Sequence, residues 1–240
     1  MADLSTMVWK EASEFFGNRR FLRIFLIAVL VMGLLPELER RHVAAGNANA
    51  AHLLTLLSLG YAVLAAVILV AQTAPDLVLR ERSGRTLDYL LGTRLSDGAI
   101  FGGKVIVAAA VGYCSSLATI VIQIVATNVI GHTGPWTWSY LAWPQGRLLA
   151  LLLTPSVAVY LATVGSFVAL RVGEQRTAYL ITMLSIGLLI LPFLLGILHL
   201  HFNMPWLLRA VGVLALVAVA VVAIGARLFR REHLVLSLQE

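Results

Sequence analysis

Cysteine occurs once in this chain, at Cys114 within an apolar run, so no disulfide framework holds the fold together. Charge is scarce too. Only 12% of the 240 residues are Asp, Glu, Lys or Arg, against 60% hydrophobic, and the mean hydropathy is +0.89. That balance excludes an ordinary soluble domain. No charged residue falls near the middle of a long apolar run. Ion-coupled carriers bury carboxylates or basic groups along their path, so this lack argues against a secondary carrier. No nucleophile–base arrangement is present either, so no enzyme site of the chain's own is expected. The first residues carry Asp3, Lys10, Glu11 and Glu14 ahead of any apolar core, unlike a secretory leader.

What remains is a series of apolar runs, several of them reaching the roughly 18 to 20 residues that cross a bilayer as a helix. The reading is an all-α polytopic membrane protein with six transmembrane helices, an amphipathic amino-terminal interfacial helix and a cytosolic elbow. Residues 1–18 form the interfacial helix, with Leu4, Val8, Ala12, Phe15 and Phe16 on one face and Lys10, Glu11 and Glu14 elsewhere. Residues 19–240 form the membrane domain, with spans at about 21–35, 52–74, 101–130, 148–170, 178–198 and 206–226 and a loop at 76–100. Pro36 is expected to end the first span, leaving Glu37 in an outer loop, and Pro192 to kink or split the fifth. Ala108, Gly112, Ser116 and Thr119 form a small-residue seam on the third span.

Six spans put both ends on one side, and basic residues choose that side. Fourteen of the 18 Lys and Arg residues flank the proposed inner ends; only Arg40, Arg41, Arg147 and Arg209 lie outside. Both termini are therefore expected in the cytoplasm, with the chain a multi-pass protein of the plasma (inner) membrane. The net charge of +6 reflects this orientation and not a nucleic-acid partner. Trp136, Trp138, Tyr140 and Trp143 read as an outer interfacial belt. Five of the six histidines (His42, His52, His132, His199 and His201) fall outside as well, at no spacing that matches a metal-ligand set. Polar residues inside the spans are few and neutral, and most serve as interhelical hydrogen-bonding groups. Gln123 and Asn128 are the better candidates for a transport pathway.

The stretch from Asp76 to Lys104 departs from everything around it. It holds four of the 12 acidic residues: Asp76, Glu81, Asp88 and Asp97. Gly84 interrupts any helix through it. Thr86 can cap a short helix with Leu87, Leu90 and Leu91 on one face, Gly92 can end that helix, and Ser96 or Asp97 can cap the next. The result is an amphipathic elbow at the membrane surface, able to dock a partner or to pack back on its own bundle. Gly98 to Lys104 fits the spacing of a phosphate-binding loop, but Val105 stands where Ser or Thr would hold magnesium, and no strand precedes it. Close packing at Gly102 and Gly103, with Lys104 at the membrane–water boundary, accounts better for these residues.

The order Glu81, Gly84-Arg85-Thr86-Leu87-Asp88, Leu90-Leu91, Thr93, Leu95-Ser96, Ile100, Gly103-Lys104 resembles the first cytosolic loop of type-2 ABC-transporter permeases. It covers about a tenth of the chain, inverts the family's basic–glycine order at Gly84-Arg85 and has Arg94 where proline is common. The resemblance implies a permease subunit of an exporter. A second permease half, identical or similar, would stand beside it in the bilayer, with two ATP-binding subunits below. ATP and magnesium would be held by those subunits, and no cofactor by this chain. It further implies that Glu81, Gly84, Thr86, Leu87, Asp88, Leu91 and Arg94 seat the elbow on the ATPase. The competing readings are a membrane-anchored assembly factor without transport and a secondary carrier.

Overall fold

In lipid, an apolar backbone satisfies its own polar groups only as helix or closed barrel. The computed structural model takes the first course, and among its described residues there are helices and no strands. These residues are 2–42, 48–84, 95–130, 138, 141, 144–198 and 204–228; within them, side chains are described except at 2, 39–42, 48–56, 83, 145, 188–198, 204, 206 and 228. In chain order the helices are α1 (Ala2–Gly17), α2 (Arg19–His42), α3 (Ala48–Ser83), α4 (Asp97–Ile130) and α5 (Pro144–Leu148). A π-turn (Leu149–Leu153) follows, then α6 (Thr154–Arg171), α7 (Gln175–Leu198) and α8 (Met204–Leu228).

Among the described residues, five stretches are long and apolar enough to cross a membrane: Arg19–Leu38, Leu57–Arg82, Asp97–Ile130, Gly146–Arg171 and Leu207–Arg227. The chain is thus a helical, multi-pass membrane protein. The helix α7 spans 24 residues across Pro192 without splitting.

The centre of the bundle is α3, α4 and α6, each packed on the other two. Their contact is close because their facing residues are small. Ala62, Ala65, Ala66, Ala71 and Ala74 of α3 are buried, and so are Ala108, Gly112, Ser116 and Thr119 of the α4 seam. A Cβ on Gly112 would lie 2.0 Å from Val70 Cγ2, so this crossing has no room for a side chain. Without a hydrophobic force between helices in lipid, such close backbone approach supplies the association energy. By contrast α2 and α8 turn large apolar side chains outward, among them Leu26, Ile27, Leu216 and Val219.

Three expectations change. First, α2 does not stop at Pro36 but runs to His42, and Glu37 is a buried helical residue, not a loop residue. Proline at position 36 cannot donate to the carbonyl of Met32, four residues earlier. Gln123 of α4 donates its Nε2–H to that oxygen at 3.2 Å, so the freed acceptor is satisfied and the helix continues. Glu37 accepts from Thr127 Oγ1 at 3.3 Å, also on α4.

Second, the amphipathic helix expected over residues 1–18 forms as α1, but its buried face is not the one assigned. It lies on α4, with Met7 over Gly103 so closely that a Cβ there would be 2.6 Å from Met7 Cγ. Its buried stripe is Met7, Glu11 and Phe15, while Phe16 is 66% exposed. Phe16 therefore leaves the face assigned to it, and Glu11 joins it.

Third, the fourth membrane segment is not a plain helix. Pro155 sits in the first turn of α6, where its ring would crowd the carbonyl of Leu151. The chain widens into a π-turn at Leu149–Leu153, and Thr154 donates both its backbone N–H and its Oγ1–H (3.1 Å) to Leu149 O.

Candidate functional site

The two helix ends that would be the feet of the expected elbow are well defined. The first, α3, ends at Ser83, and Gly84 closes a turn by donating its N–H to Arg80 O at 3.0 Å. The second begins with Ser96, whose Oγ accepts from the N–H of Ala99 at 3.3 Å and caps α4. Gly84 and Ser96 thus punctuate the stretch where their chemistry says they should. Arg85 to Arg94 lie outside the described residues, and with them Thr86, Leu87, Asp88, Leu91 and Arg94. Gly98 to Lys104 forms the first turns of α4, a helix and not a phosphate cradle.

Between the feet sits a buried cluster of charge. The ammonium of Lys104 is 2% exposed and is held between α1 and α3. It contacts Glu11 Oε1 of α1 at 2.8 Å, Leu77 O of α3 at 2.9 Å and Glu81 Oε2 of α3 at 2.6 Å. Lys10 closes the group from the solvent side, donating to Glu81 Oε1 at 2.5 Å and lying 3.6 Å from Glu11 and 3.5 Å from Glu14. Glu81 near the end of α3 and Lys104 near the start of α4 therefore touch each other, and α1 is ionically bolted to both.

The ammonium of Lys104 does not reach solvent: α1 covers it and brings Glu11 as counter-ion. The signal available in the sequence was Glu11 itself, spaced four residues from both Met7 and Phe15, a carboxylate on a buried stripe that needed a cation. Burial pushes the Glu11 carboxyl above its ordinary range, offset only in part by Lys104. Burial alone would lower Lys10, but the hydrogen bond to Glu81 and the charges of Glu11 and Glu14 outweigh it and hold the ammonium above the usual lysine value.

The two pathway candidates occupy different settings. Gln123 is buried and donates to Ser58 O at 3.0 Å as well as to Met32 O, tying α2 and α3 to α4. Asn128 donates to Ile124 O of its own helix at 2.8 Å. Replacing Gln123 with leucine should cost roughly 1–2 kcal/mol, the upper range for a membrane interhelical hydrogen bond, because two carbonyls lose their donor. Thermal unfolding in detergent measures this, and an unchanged midpoint would show that neither contact contributes.

A cleft of about 680 Å³ opens between the ends of α2, α3 and α7. Arg80 and Asp76 pair across one helical turn at 2.6 Å, and the Arg80 guanidinium stands 5.5 Å from the centroid of the Phe21 ring. Nothing in the sequence reading singled out this cleft, because its walls come from three separate segments.

No protein-family model matches the chain, and no curated protein is similar enough to count as a relative.

Proposed function

We propose that this chain is the permease subunit of an ATP-driven ABC exporter of the type-2 class. Six spans hold both termini in the cytoplasm, a second permease half stands alongside, and two ATP-binding subunits dock beneath. The cargo is an amphipathic or lipid-like molecule. The ordered motif from Glu81 to Lys104 carries this reading. The 2.6 Å contact between Glu81 and Lys104 supports it, because a loop that transmits movement needs feet that move as one body. Lys10 and Glu11 extend that body to α1. A push on the elbow would then reach α3, α4 and α1 together instead of flexing a loop.

In this mechanism, closure of the ATPase pair displaces the elbow, with Thr86, Leu87 and Leu91 as seating contacts and Glu81, Asp88 and Arg94 as polar anchors. The bundle halves rearrange, and the cargo leaves outward along a route for which Gln123 and Asn128 are the candidate polar residues. Leu87→Asp or Leu91→Asp should uncouple ATP hydrolysis from export while the permease still inserts. ATPase activity and cargo efflux in the reconstituted complex measure this. If both variants assemble with the ATPase and export at the wild-type rate, the elbow does not couple the two.

A further inference from the structure

We propose that the cleft between α2, α3 and α7 binds the phosphate-bearing headgroup of an anionic phospholipid. The cleft lies at the ends of the apolar stretches of α2 and α3 that are long enough to cross a membrane, which begin at Arg19 and end at Arg82. Its charged lining comprises Arg20, Arg80, Arg176, Asp76 and Glu174. Arg80 is spent on Asp76, which also accepts from Gln175 Nε2 at 3.3 Å. Glu174 accepts from Thr177 Oγ1 at 2.7 Å. Among the described residues the guanidiniums of Arg20 and Arg176 have no hydrogen-bond or ion-pair partner, and neither does the Gln72 amide or the Tyr179 hydroxyl.

Two uncommitted guanidiniums against one carboxylate leave a balance of one positive charge, which suits a singly charged phosphodiester. The amino-terminal ends of α2 and α7 also open here and add to the positive potential. The remaining walls, Phe21 and Ile24, are apolar and continue along α2 toward exposed Leu26 and Ile27. A free anion has no use for such a wall, whereas the glycerol and acyl chains of a lipid do. The site goes beyond the transporter reading and does not rest on it: a lipid could be cargo or a bound structural partner.

The test uses the full chain purified in non-ionic detergent and titrated with dioctanoyl phosphatidylglycerol, dioctanoyl phosphatidylcholine and inorganic phosphate. Binding is read by calorimetry. Phosphatidylglycerol should bind saturably and roughly tenfold more tightly than the other two, the worth of one charge-assisted contact. Arg20→Gln and Arg176→Gln should each weaken it by a similar factor, and Glu174→Gln should tighten it. That opposite sign separates recognition from a merely structural role, because loss of fold would weaken binding in all three variants. Equal affinity for phosphatidylcholine would overturn the proposal, as would phosphate binding as tightly as the lipid, or weakening in the Glu174 variant. None of these results would alter the elbow's coupling to an ATPase, which Leu87→Asp tests separately.

Discussion

Lys104→Met should destabilise the protein by roughly 3–5 kcal/mol, the range for removing one partner of a buried ion pair. The side chain is 2% exposed and the carboxylates of Glu11 and Glu81 are 1% and 5% exposed, so no water is at hand to replace the ammonium. Methionine fills the space but donates nothing. Two carboxylates would then share one buried site, and α1 would detach to hydrate Glu11. Unfolding in detergent gives the loss in stability, and limited proteolysis of residues 2–17 reports the release of α1. Adding Glu11→Gln and Glu81→Gln to Lys104→Met should restore much of the loss, because the buried positions then carry no charge and Lys10, 35% exposed, keeps Glu14 and water as partners. Wild-type stability in the single variant would mean that the cluster is not a structural bolt.

The same cluster has a pH signature. The folded-state value of Glu11 lies above its unfolded value of 4.5, so the folded chain holds that proton more tightly. The favourable contribution is fully present below pH 4.5 and is lost as pH rises through the elevated folded value. Glu11→Gln should remove this slope. Lys10 is also raised, from 10.5, so its contribution persists through neutrality and fades only as alkaline pH passes its folded value.

Gly112→Leu should be as damaging by a different route. Its Cβ would meet Val70 Cγ2 at 2.0 Å and the backbone oxygen of Ala66 at 3.2 Å. Valine has little rotamer freedom on a helix, and a carbonyl oxygen cannot step aside without its helix. The central crossing of α3 and α4 would have to open, forfeiting the close contact that replaces hydrophobic force in lipid. A loss of about 3 kcal/mol or more is expected, at or beyond the upper end for overpacking. Gly60→Ala is the control, since nothing lies within 4 Å of the added methyl. There the better helix propensity of alanine should be neutral or stabilising by up to about 1 kcal/mol. If the two substitutions shifted the unfolding midpoint alike, close packing at Gly112 would not matter.

The legible parts of the sequence were those decided by local rules. Gly84 ends a helix because it breaks one, and Ser96 starts the next because its hydroxyl reaches the N–H of Ala99. The buried seam of Ala108, Gly112, Ser116 and Thr119 shows as small residues recurring at three- and four-residue steps. The illegible parts were settled by distant residues. Lys104 looked like a boundary lysine because its partner Glu11 is 93 residues away. Pro36 looked like a terminator because the donor that rescues Met32 O comes from Gln123, 91 residues later. Phe15 and Phe16 looked equivalent on a helical wheel until packing, with the Phe21 ring of α2 5.6 Å from Phe15, buried one of them. Leu87 and Leu91, proposed as seating contacts, lie outside the described residues.

The π-turn at Leu149–Leu153 fits one residue more than an α-helix would use over the same rise. The wider coil absorbs that surplus, so Arg147 and Leu148 keep nearly the facing they would have on an unbroken helix leading into α6. Losing one amino acid there would regularise the coil and leave both flanks in place, whereas the same loss inside α6 would turn everything before it by about 100°. In this segment the chain carries a spare residue that it can lose without re-aiming its neighbours.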